Sequence, residues 1–280
     1  MRRRRLATGI GLVLALVGRP AAATAQLSLT PVKAVGQTVT PVFEGWYRNP
    51  DGSYSISFGY FNRNSEEVLD VPIGPENFVA PGGQDQGQPT HFHPRRHWGV
   101  FAVTVPADFG EKTIAWTIRI RGETFTIPGS LHPDWQIDAL EGEAGTGNTP
   151  PVLKFADGSE GRGPGGIAVG PLTVRVGKPL ALVVWATDDG RRAPSIAGAG
   201  RERAPVTLTW FVHQGPGDVT FTPASPPVDA ADGKATATAT FSAPGAYVLR
   251  VRANDASGVA NAGHAQCCWT NGFVKVVVTP

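Results

Sequence analysis

The chain has 280 residues, a formal net charge of +2, 17% charged residues, 35 glycines, 25 prolines and two cysteines. A balance this small, carried partly by arginines at the extreme N-terminus, gives no electrostatic case for nucleic acid. The glycine and proline load favours short strands and turns over helices.

The first 25 residues read as a secretory leader. "MRRRRLATGIGLVLALVGRPAAATAQ" places an arginine cluster before an apolar run, Leu6 to Val17, and a small-residue end. Ala23-Thr24-Ala25 fits an A-x-A cleavage pattern, leaving Gln26 first. The apolar run is too short to span a membrane, and no later stretch approaches the roughly 18 apolar residues a span needs. The expectation is an exported bacterial protein, periplasmic or extracellular, with no transmembrane segment.

Residues 26–140 read as a β-sandwich domain. In "SYSISFGYF", Tyr54, Ile56, Phe58 and Tyr60 fall on one face and serines on the other. In "KTIAWTIRIRG", Ile114, Trp116, Ile118 and Ile120 do the same. Period-two alternation predicts strands with one buried face. "NPDG" at 49–52 predicts a hairpin turn. Residues 141–150, "EGEAGTGNTP", are turn-rich and read as a Gly/Pro-rich linker.

Residues 151–280 read as a second sandwich. Seven segments, "PLTVRVG" through "GFVKVVVTP", recur at sandwich spacing. The run "GKATATATFSAPGAYVLRVRANDAS", with Phe241, Pro244, Gly245, Tyr247 and Leu249 at its strand junction, resembles PKD-type and related immunoglobulin-like modules of secreted bacterial proteins. The resemblance covers roughly residues 165–280 and implies a fold, not an activity. The first half, with "FEGWYRNPDGSYSISFGYFNRN" and "GQPTHFHPRRHWGVF", resembles secreted bacterial proteins that imply no activity either.

If the seven segments alternate in direction, the loops leaving the second, fourth and sixth gather at one end of the sandwich. They carry Asp188 and Asp189, Asp229 and Asp232, and Asp255. These are candidate calcium ligands, since calcium takes six to eight oxygens, set against ordinary turn-forming residues. The third and longest loop holds "GHAQCCWTNG". Adjacent Cα atoms sit about 3.8 Å apart, below the roughly 4.4–6.8 Å of an ordinary disulfide. A Cys267–Cys268 bond is therefore strained, and exported thiols oxidise. The loop reads as a local clip, or as a ligand-contact tip of His264, Cys267, Cys268 and Trp269. Metal binding by His264 with two thiolates, and an intermolecular disulfide, are the alternatives.

Three of the six histidines lie in "HFHPRRHWG". His91 and His93 share a face of an extended strand, and His97 can fold back across Pro94. Imidazoles so placed suit copper or zinc, with His132 as a candidate fourth ligand. The plainer reading is a polar strand edge, with Arg95 and Arg96 solvated or paired to Glu66 or Glu67. Signatures of hydrolases, zinc proteases and nucleotide binding are missing, so no catalytic residue is assigned. The expectation is an all-β protein of two sandwiches acting as a non-enzymatic binding, adhesion or structural module of the cell envelope. Its partner would be an envelope protein or carbohydrate. A copper- or zinc-binding protein or metalloenzyme using His91, His93 and His97 is the alternative.

Overall fold

The computed structural model describes residues 31–137, 147–190, 205–256 and 268–280. Its first half contains β1 (Val39–Arg48), β2 (Tyr54–Asn62), β3 (Leu69–Asp70), β4 (Asn77–Ala80), β5 (His91–Phe92), β6 (Arg95–Val105), β7 (Thr113–Ile120) and β8 (Glu123–Ser130). Two three-stranded sheets, β1-β2-β6 and β4-β7-β8, form the layers, with β3 and β5 as a separate ribbon. The NPDG turn closes β1 onto β2: Asn49 N donates to Ser53 O at 2.8 Å, and Gly52 adopts φ +87°. The alternating apolar residues meet between the layers, where Ile56, Phe58, Phe101, Trp116 and Ile118 are all buried. Trp116 is fully enclosed, and its indole N–H donates to Asn77 Oδ1 at 2.9 Å.

The second half contains β9 (Val152–Phe155), β10 (Glu160–Gly161), β11 (Ile167–Arg175), β12 (Leu180–Thr187), β13 (Val206–Gln214), β14 (Val219–Thr222), β15 (Lys234–Phe241), β16 (Gly245–Asp255) and β17 (Trp269–Thr279). The sheets are β10-β9-β12-β15-β14 and β11-β17-β16-β13. β11 runs parallel to β17, and every other pair in both sheets is antiparallel. This is an immunoglobulin-like sandwich in its strand order: β9, β12, β15 and β14 stand as A, B, E and D, and β13, β16 and β17 as C, F and G. "PVLKF", a short apolar patch by sequence, is thus the first strand of the domain. Trp210 on β13 is buried in the core. Tyr247 on β16 donates its hydroxyl to Ala243 O at 2.9 Å, closing the corner between β15 and β16. Seven segments were expected, and all seven are strands.

Two buried clusters, one per half, make the cores. Contacts divide the chain after Pro31, and Val32–Pro280 forms one compact unit. Residues 141–146 of the expected linker lie outside the described residues. At its end Asn148 is buried, and its side-chain amide donates to Asp255 Oδ2 at 2.5 Å.

The contact between the halves corrects the one-face reading of β2. Ser55 and Ser57, expected toward solvent, are 3% and 0% exposed. Their face is covered by the second half: a Cβ on Gly165 would lie 3.2 Å from Ser55 Oγ, and Gly165 N donates to the Tyr47 hydroxyl at 2.5 Å.

Candidate functional site

His93, His97 and Trp269, singled out in the sequence, gather where the two halves touch. Register builds the first part. Asp70 on β3 pairs directly with His91 on β5, which puts His91 Nδ1 2.7 Å from Asp70 Oδ1. A carboxylate only accepts, so Nδ1 carries the proton. His97 on β6 lies opposite Tyr60 on β2, and the two rings stack with centroids 5.0 Å apart. Between them sits His93, 4.8 Å from His91 and 5.8 Å from His97, ring centre to ring centre. The three histidines therefore do come together.

They come together as packed rings. His93 and His97 each stand edge-on to Phe211 of β13, at 5.6 Å. His97 Nε2 donates to Pro94 O at 3.2 Å. His93 is bonded to the Val212 backbone, and its Nε2 is buried without a partner. Burial holds both rings neutral. His93 falls to about 4, through burial first and then the neighbouring His91 and Arg250. His97 falls lower still, through burial and then Arg250. A cation beside these imidazoles repels a metal ion as it repels a proton. Among the described residues, no group of three His, Cys, Asp or Glu side chains is placed to hold a metal. His132 faces Asp134 instead, with its ring 61% exposed.

Phe211 is the hub. The Arg250 guanidinium lies 4.5 Å from its ring centre and that of Arg252 lies 5.5 Å away. Both arginines come from β16 at alternate positions, so both point off the outer face of the second sandwich. Sequence reading puts such residues in water, yet Arg250 is 1% exposed. Burial lowers Arg250 to about 9 and Arg252 to about 10; both still carry charge at neutral pH. Arg250 donates to Asn271 Oδ1 at 3.2 Å. Cation–π contact contributes about 2 kcal/mol per desolvated pair, well short of the cost of burying two charges.

Around this hub the seam is laced with hydrogen bonds. His213, the extra residue where β13 slips register against β16, donates through Nε2 to Gly87 O at 2.7 Å. Burial, then Arg250, brings it down to about 3. Gln214 donates to Gln88 O at 2.8 Å, and Thr90 N to His213 O at 2.9 Å. On the other side Trp269 and Asn271 both donate to Gly99 O, at 3.2 and 2.7 Å. Gly99 adopts φ +50°, and a Cβ there would lie 2.0 Å from Trp269 Cζ2. Only glycine lets the indole lie this close.

Trp269 is 1% exposed. It is a seam residue, and the expectation that its ring faces a ligand is corrected on that ground. Cys268 is fully buried with φ 85°, and no free cysteine occurs among the described residues. His264 and Cys267 lie outside the described residues. The arginine pairing is also corrected. Arg96 meets Glu44 through two bonds of 2.7 and 2.8 Å, while Glu67 pairs with Arg121. Glu44 is the extra residue where β1 slips past β2, and it crosses Gly59, where a Cβ would lie 2.0 Å from Glu44 Oε1.

The acidic loops do converge. Asp188, Asp229 and Asp232 line one cavity of 310 Å³ together with Val206, and Val206 pairs with Asp255. One oxygen of each nevertheless serves a local turn, while Asp188 Oδ1 is buried without a hydrogen-bond partner among the described residues. Asp188, Asp229 and Asp232 accept from the backbone N–H of Gly190, Ala231 and Lys234 at 2.7–2.8 Å. Asp189 accepts from Thr149 and Asp255 from Asn148. A second, larger cavity of 830 Å³ opens beside His91 and Asp70, walled by Gln214–Asp218 and Ser242–Ala246.

Phe211, Arg250, Arg252, His213 and Tyr60 escape sequence reading. Only Glu44, a charge before glycine in an otherwise apolar strand, carries a local hint of a bulge.

No protein-family model matches the chain, and no curated protein matches it. Among solved structures it is similar to the D00–D0 domain of intimin, at 11% identity over 86% of this chain and 100% of that one, with a TM-score of 0.26. It is similar to a tandem pair of titin Ig domains at 12% identity, covering 86% and 98%, with a TM-score of 0.23. Domains 4 and 5 of the S-layer protein SbsC are similar at 11% identity, covering 87% and 98%, with a TM-score of 0.22. Scores this low add nothing to what the strand order itself establishes.

Proposed function

We propose that the chain is an exported, non-enzymatic binding or structural module of the bacterial cell envelope, built as a fused pair of sandwiches. One observation carries the reading: the side chains richest in chemistry, His93, His97, His213, Arg250 and Arg252, are spent on the seam around Phe211. A leader ending at Ala25, domains over 26–140 and 151–280, and a Cys267–Cys268 bond that clips the chain ahead of β17 belong to the same proposal.

Fractionation of cells making the untagged chain, with N-terminal sequencing, tests the placement. Gln26 at the terminus and recovery outside the cytoplasm support it. An uncleaved chain in the cytoplasm overturns it. Co-sedimentation of the mature protein with isolated envelopes tests binding. Stoichiometric copper or zinc, lost in a His91→Ala/His93→Ala variant, would shift the reading to a metal-binding protein. Intact mass after alkylation without reductant tests the clip: two modified cysteines remove it.

A further inference from the structure

The arginine beside the seam is answered by a full negative charge. Arg96 has Glu44 on two bonds, and the Tyr60 and His97 carbonyls besides. Arg250 and Arg252 stand out. Among the described residues neither meets a carboxylate; Arg250 reaches only the neutral Asn271 Oδ1 at 3.2 Å, and the Nε–H of each is buried without an acceptor. The charge of Arg252 opposes that of Arg250, and Tyr60 favours the charged form of both. Two like charges on one strand face, about 7 Å apart along it, are costly when enclosed unless a negative group answers them.

Tyr60 completes the set. Its hydroxyl accepts the backbone N–H of His93 at 3.0 Å. A hydroxyl also donates once, and no acceptor for that proton occurs among the described residues. Asn271 Oδ1 already accepts from Arg250, and the Asn271 amide N–H groups are committed to Gly99 O and Pro164 O.

We infer that Arg250, Arg252 and Tyr60 form a binding site for a small inorganic oxyanion of the phosphate or sulfate class at the seam between the two sandwiches. Planar guanidinium forks suit oxyanions. Donors come from two positions of one strand and from the opposite half, so the acceptor must offer oxygens on more than two sides. A tetrahedral oxyanion offers its oxygens in three dimensions, where a carboxylate offers two in one plane. Arg252 keeps part of its surface in solvent and marks the way in. The ion would tie β16 to β2 and add cohesion to the seam.

The test uses the full mature protein. Calorimetric titration and thermal unfolding are measured with sodium phosphate and sodium sulfate, against sodium acetate and sodium chloride at equal ionic strength. The expected result is one saturable site for phosphate or sulfate, a rise in Tm that follows its occupancy, and at least tenfold weaker binding in Arg252→Gln. Tyr60→Phe, which keeps the ring and removes one donor, should weaken binding less. Because an arginine variant could fold poorly, a selenate-soaked crystal of the unaltered protein gives an independent reading: an anomalous peak between the two guanidiniums supports the site. Equal effects of chloride and phosphate, unchanged affinity in Arg252→Gln, or a selenate-soaked crystal without that peak each overturn it.

Discussion

Acid should open the seam. His93, His97 and His213 are held neutral in the fold, at about 4 or below, chiefly by burial, whereas an unfolded histidine titrates near 6.5. Between those values the unfolded chain binds more protons than the folded one, so stability falls as pH falls. It is fully present above about 6.5. From pH 7 to pH 5 each histidine costs about 2 kcal/mol, and the three together about 6 kcal/mol. That is comparable to the whole stability of a typical domain, 5–15 kcal/mol or so. Hydrogen bonds from Gly36, Ser53 and Ser159 hold the carboxyls of Glu67, Asp51 and Asp157 below the usual carboxylate range, so their contributions fade mostly below this window. Asp188, raised by burial, acts in the opposite sense. Urea unfolding at pH 7, 6 and 5 checks the prediction: the midpoint should fall steeply, and His213→Gln should remove about a third of the slope. A midpoint flat across this range, or resonances of His93, His97 and His213 titrating near 6.5 in the folded protein, would refute the reasoning.

Three substitutions test the packing. Gly99→Ala drives a Cβ into the Trp269 ring and fixes a left-handed backbone, and should cost about 3 kcal/mol in chemical denaturation; adding Trp269→Leu should return part of that loss, as a double-mutant cycle would show. Glu44→Gln strips Arg96 of its charge partner and should cost about 3 kcal/mol, read from the same unfolding curves. Tyr247→Phe deletes one corner hydrogen bond and should lower stability by about 1 kcal/mol without changing the m-value.

Much of each half is legible in the sequence, because period-two alternation and turn chemistry are local. Tyr54 to Tyr60 and Ile114 to Ile118 announce their strands and their inward faces, and the loops with Asp188 and Asp229 meet as strand counting expects. The seam is not legible, because it depends on which sheet face the other half covers. Arg250 and Arg252 alternate with Leu249 and Val251 as solvated residues do, and no local pattern distinguishes a face open to water from one pressed against a neighbour. Trp269 misleads for the same reason. An aromatic beside an unusual cysteine pair reads as an exposed tip until Gly99, 170 positions away, is seen to receive it. The spacing of His91, His93 and His97 brings the three together, but their partner Phe211 and the arginines beside them lie far along the chain.

The fit of Trp269 onto Gly99 also bears on how such a chain can change over generations. Strings of sandwich domains are readily reshuffled when each bead is finished on all sides. Here neither bead is finished. The second sandwich, joined to a different neighbour, would show water an indole, a phenyl ring and two arginines with nothing shaped to meet them, and the first would keep a glycine cleft and a serine floor with no purpose. Substitutions at Gly99, Phe211 or Arg250 are therefore answerable to residues in the other half, and an exchange of genetic material that breaks the chain between residues 141 and 150 separates two surfaces that work only together.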